Sequence, residues 1–272
     1  MLALIRRWTL AVAILTPLAA LVVAPSAASA SSAPAIVKTI VSAGDTYVNE
    51  IRNVFFCTTK TCLAQRAQNV KLAQDGMAAL DNEAAGALVA TLPAPYTAPV
   101  KLFVNDDRLL SHAFTSFSKD TTKIAAYVDL GTIEFSTAAL ASDTAVLAAL
   151  AAGHPVKFRF WAVGVSAMVY VLQTDLNSFA APKNTGPEAL AIAQHLVVDA
   201  AALEQHANGP SAPYNALVKK LASDEGRVAG TEVLKIQHQK APLTTAQVLA
   251  LNVAITKDIT ALAKLQNTLA KA

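Results

Sequence analysis

Part of this chain is written twice. Residues 94–107 (APYTAPVKLFVNDD) match 212–225 (APYNALVKKLASDE) without a gap at half of their positions. Self-similarity of this kind marks a duplicated structural unit. The echo continues at a nearly steady interval of about 123 residues, falling to 118 in the central match. Tyr47-Val48 answers Tyr170-Val171, Phe56 answers Phe179, Ala78-Ala79-Leu80 answers Ala201-Ala202-Leu203, and Thr121-Thr122 answers Thr244-Thr245. The expected organisation is a leader over 1–30 followed by two tandem units, 31–152 and 153–272. Each is long enough to enclose its own core.

Periodicity makes those units helical. Val248, Ile255, Leu262 and Leu269 recur every seventh residue, with Leu251 and Ile259 close beside them on the wheel. Thr244 or Thr245 precedes that seam as an N-cap. Roughly a fifth of the chain is Ala, the strongest helix former. No segment sustains a period of two between hairpin turn signals, which argues against a sheet. Four helices per unit follow: 34–56, 61–90, 98–117 and 121–151, then 155–179, 187–208, 212–239 and 244–271. Pro34, Pro155 and Pro187 fall at helix starts, where the missing N–H is harmless. Short connections favour antiparallel neighbours, so the fold class is all-α, two duplicated up-and-down four-helix bundles.

The first 30 residues read as an export signal. Arg6 and Arg7 precede an apolar run, and Ala28-Ser29-Ala30 supplies the small residues of a cleavage site, so the mature chain is expected to start near Ser31. An uncleaved anchor is the competing reading, disfavoured by Pro17. The arginine pair lacks most flanking residues of a twin-arginine signal, which favours ordinary secretion. Removing both arginines turns 22 Lys+Arg against 19 Asp+Glu into 20 against 19. A nearly neutral protein without a basic run argues against nucleic acid and anionic membranes as partners.

Cys57 and Cys62 lie five residues apart. In a continuous helix their Cα atoms would be about 8 to 9 Å apart, beyond disulfide reach, so a bridge requires a helix–helix turn. A structural disulfide is expected over a catalytic dithiol, because the spacing is not Cys-x-x-Cys and export favours oxidation. The run 160–174 is uncharged but would span only about 22 Å as a helix. It is expected to be a buried central helix carrying Trp161, not a membrane span.

Chemistry-bearing motifs are sparse. No Glu-x-x-His of a ferritin-like di-iron bundle occurs, nor a Gly-x-Ser-x-Gly elbow, a Gly-x-Gly-x-x-Gly or a Walker loop. His195, Asp199 and His206 share one helical face, but Ala193, Leu196, Val197 and Ala200 define another about 130° away. The His/Asp group therefore reads as a solvent-facing stripe, and no metal site is assigned. His112, His154 and His238 read as surface residues. Asp106-Asp107 and Asp224-Glu225 occupy matching places and read as solvated faces. The Ala-Pro-Tyr at 94–96 and 212–214 reads as a helix entry whose tyrosine tucks under the turn.

With no catalytic residue and no cofactor expected, two functions remain. The first is a secreted or envelope-associated, non-enzymatic helical protein that binds an unknown protein or envelope partner. The second is a carrier enclosing a hydrophobic small molecule. An enclosed cavity would favour the carrier; tight helices with an exposed apolar patch would favour the binder. An enzyme with an unrecognised site stands a distant third.

Overall fold

The structure, a computed structural model, describes residues 33–55, 57–83, 92–117, 119–120, 122–179 and 186–271. The expected leader over 1–30, and with it the expected cleavage site, lies outside the described residues, as do Phe56 and Thr121. The described residues hold eight helices and no strand, so the fold is all-α. They are α1 (Ala33–Phe55), α2 (Lys60–Glu83), α3 (Ala94–Phe117), α4 (Lys123–Ala151), α5 (Phe158–Phe179), α6 (Pro187–His206), α7 (Ala212–Ile236) and α8 (Thr245–Leu269).

Local chemistry sets the boundaries. Thr122 caps α4 by accepting from the Ala125 N–H, and Thr244 caps α8 through a full capping box with Gln247. Cys57 and Cys62 stand at disulfide distance in the α1–α2 turn, with Cα atoms 5.5 Å apart. The Ala-Pro-Tyr entries open α3 and α7. Tyr96 donates to the Leu150 carbonyl at 3.3 Å. The Tyr214 hydroxyl meets Ser166, and its ring stands edge-on to Phe158 and Trp161.

Neighbour relations repeat in the two halves. Helix α1 touches α2, α2 touches α3, α3 touches α4 and α4 returns to α1; α5, α6, α7 and α8 close the same ring. Burial repeats with them. The buried positions of α3, which are Val100, Phe103, Val104, Asp106, Asp107, Leu110 and Ala113, are all buried again 118 residues later in α7. Ile133 and Leu140 of α4 recur 122 residues on as Ile255 and Leu262 of the expected seam. The first helices keep a different register from the expected one. Tyr47 is fully buried while Tyr170 is 48% exposed, and burial matches one residue further along, Tyr47 with Val171 and Ile51 with Asp175. The tyrosine pairing is thus one residue out of phase with the packing, because a helix rotates by about 100° per residue.

The rings are joined through α4. Residues 32–272 form one compact unit, and its apolar side chains gather into two clusters. Ile133, Leu140 and Leu147 of α4 belong to the cluster with α1 and α3, while Phe135, Ala138 and Ala139 belong to the one with α5 to α8. Helix α4 also contacts α5 and α6. It approaches α5 so closely that a Cβ on Gly164 would lie 2.5 Å from the Ala138 carbonyl oxygen. Among the described residues only α4, over Ile124–Ala151, is long and apolar enough to cross a membrane, and half of its 18-residue apolar stretch is buried in protein. The central helix is therefore α4. The 160–174 segment, expected in that place, buries Trp161, Val165, Met168 and Leu172 but leaves Phe160, Val163 and Tyr170 exposed.

Candidate functional site

Where the two rings meet, α6 turns a polar face inward. His195, Asp199 and His206 are 7%, 4% and 1% exposed, so the expected solvent-facing stripe is instead buried. The wheel reasoning assumed one buried side, and α6 has two. Its apolar side packs within its own ring, and its His/Asp side faces α4. The pairs Thr132–His195 and Asp143–His206 are each separated by 63 residues, so α4 and α6 run parallel and bring two polar clusters into the seam.

The first cluster draws on α3, α4 and α6. His206 Nε2 lies 2.9 Å from Asp106 Oδ2 and 3.4 Å from Asp143 Oδ1. Its Nδ1 is 2.9 Å from the Ala202 carbonyl oxygen. A carbonyl only accepts, so Nδ1 carries a proton and Nε2 is the nitrogen turned to the carboxylates. Burial opposes protonation of His206, but the hydrogen bonds and charges of Asp106 and Asp143 outweigh it and push the imidazole up to about 10. Burial likewise raises Asp143 to about 7, with His206 pulling the other way. Asp106 and its neighbour Asp107 are 3% and 1% exposed, which overturns the solvated-face reading of that pair.

The second cluster draws on α4, α5 and α6. His195 Nδ1 is 2.7 Å from Asp199 Oδ2 and 4.0 Å from Asp175 Oδ2. The nearer contact lies off the line of a good hydrogen bond, so it is an ion-pair contact. The Thr132 hydroxyl donates to the Val128 carbonyl and therefore accepts from His195 Nε2–H at 2.9 Å. Tyr127 donates to Asp175 at 2.6 Å. Gly131 leaves room for the ring, since a Cβ there would stand 3.1 Å from Nε2. Burial lowers the readiness of His195 to protonate, yet the contact and charge of Asp199, then the charge of Asp175, carry it up to about 8. Asp199 rises to about 6 by burial.

The matching acid pair of α7 is also buried, Asp224 at 8% and Glu225 at 1%. Asp224 meets Lys220 at 3.0 Å and Arg227 at 3.6 Å. Both Glu225 oxygens lack a hydrogen-bond partner among the described residues, and burial followed by the charge of Asp224 raises that carboxyl to about 8. Trp161 is fully buried against Gly209, and its indole N–H has no partner among the described residues. His112, His154 and His238 join neither cluster.

A second feature lies on the outside of the seam. Ala141, Ala145 and Ala148 repeat along one face of α4 and, with the C-cap residue Ala152 and Phe160 and Val163 of α5, line an open groove of about 490 Å3. Phe160 and Val163 are 53% and 58% exposed. The clusters escaped sequence reasoning because their members come from four helices. The one available signal was the 11-residue spacing of His195 and His206 matched by that of Thr132 and Asp143. No known protein family, curated protein or solved structure matches this chain.

Proposed function

We propose that this chain is an exported, non-enzymatic binding protein built from two related helix quartets, and that its α4–α5 groove receives an amphipathic helix of a partner protein. The observation that carries the reading is the exposed apolar pair Phe160 and Val163 beside a floor of alanines. Small side chains let a third helix approach closely, and the flanking aromatic and aliphatic side chains supply anchors. The arginine-led apolar N-terminus and the disulfide-distance cysteine pair support export to an oxidising compartment. The carrier alternative calls for an enclosed chamber, whereas the hollow at α4–α5 and the one around Gly226 and Gly230 of α7 both open to solvent.

A photo-crosslinking residue placed at Val163 in the exporting host tests this. A discrete protein adduct is expected, and it should disappear when Ala148→Arg fills the groove while circular dichroism stays unchanged. No adduct, or one indifferent to Ala148→Arg, overturns the reading.

A further inference from the structure

Three donors in the seam are arranged for more than packing. His206 Nε2, Asp106 Oδ2 and an Asp143 oxygen lie within 4.8 Å of one another, all buried. Nε2 stands 2.9 Å from Asp106 and 3.4 Å from Asp143, close to the roughly 3.3 Å between neighbouring donors on a tetrahedral zinc. Two further observations point to a ligand. The Nδ1 contact with the Ala202 carbonyl fixes the ring so that Nε2 faces the carboxylates, the outer-shell arrangement that metal-binding histidines use. Asp143 Oδ2 is buried with no hydrogen-bond partner among the described residues, leaving a donor to spare. Charge is compatible, since a dication with neutral imidazole balances the two carboxylates.

We propose that Asp106, Asp143 and His206 bind one divalent transition-metal cation of the zinc class, tying α3 and α4 to the end of α6. An imidazole joined to carboxylates suits zinc and its transition-metal neighbours, whereas calcium and magnesium take oxygen ligands. The second cluster, Asp175, His195 and Asp199, also brings three buried donors within 4.8 Å of one another. It serves as the comparison because Tyr127 already engages Asp175 at 2.6 Å and His195 Nδ1 stands 4.0 Å from that carboxylate.

The test uses the full mature chain stripped by chelator and titrated with Zn2+ against a competing dye, with Co2+ as the spectroscopic probe. One equivalent of Zn2+ is expected to bind through this site. Asp106→Asn and Asp143→Asn should each weaken that equivalent by about 100-fold or more, while Asp199→Asn leaves it within threefold. Should the asparagine variants fail to fold, the wild-type chain still decides. Zn2+ must shift the NMR signals of the His206 ring and leave those of His195 in place. An adventitious ion only, removed by gel filtration and indifferent to both asparagine variants, overturns the proposal. So does a shift confined to His195.

Discussion

Asp106-Asp107 and Asp224-Glu225 stand at the same place in the two written copies, on the same buried register of α3 and α7. Their surroundings differ. Asp106 is answered by His206, an imidazole from the other half of the chain, at 2.9 Å. Asp224 is answered by Lys220, one turn away on its own helix and 52% exposed in its side chain, which also reaches Asp258 of α8. Local sequence thus places the acids, and the neighbouring helix decides how they are neutralised. One copy is closed by a long-range contact in the dry interior, and the other by a cation at the rim.

His206→Ala should break that contrast most forcefully. It leaves Asp106 and Asp143 buried without a cation, and removing one partner of a buried pair costs about 3 to 5 kcal/mol. Urea unfolding of the metal-free chain measures it; a loss below about 1 kcal/mol would mean that water reaches the cluster.

Glu225→Gln has the next largest effect, and it depends on pH. The ordinary value of 4.5 rises to about 8 in the folded chain, so the native state holds a proton that the unfolded state releases between those values. Stability therefore falls as pH climbs through that window. The variant removes this dependence, and its loss of stability from pH 5 to pH 9 should be smaller than the wild type's by about 3 to 4 kcal/mol. Equal slopes in urea melts at the two pH values would mean that Glu225 ionises freely.

Lys220→Ala should do least, about 0.5 kcal/mol, because exposed pairs are screened by solvent. Its effect should fade further in 1 M salt, while that of His206→Ala persists. A loss comparable to that of His206→Ala would erase the distinction between rim and interior.

What could be read from the sequence was what the chain encodes locally. The Thr244 cap, the seam through Ile255 and Leu262, the turn at Cys57 and Cys62 and the Ala-Pro-Tyr entries all depend on neighbours within a few residues. The seam between halves was hidden for the opposite reason. The sequence echo describes each helix quartet by itself, and Asp143, Asp175, His195 and His206 act only where the two rings meet. A helical wheel for α6 yields one apolar side and cannot announce that a second helix covers the polar one. The exposure of Phe160 and Val163 was obscured similarly, since a wholly apolar run does not show which side stays bare.

Helix α4 carries an implication for the order in which the protein is made. Synthesis runs from the N-terminus, so the first four helices emerge with Phe135, Ala138 and Ala139 uncovered and Asp143 awaiting an imidazole encoded 63 residues downstream. That early piece is aggregation-prone for as long as translation takes to reach the sixth helix. A pause or truncation near residue 152 should therefore be harmful to the host.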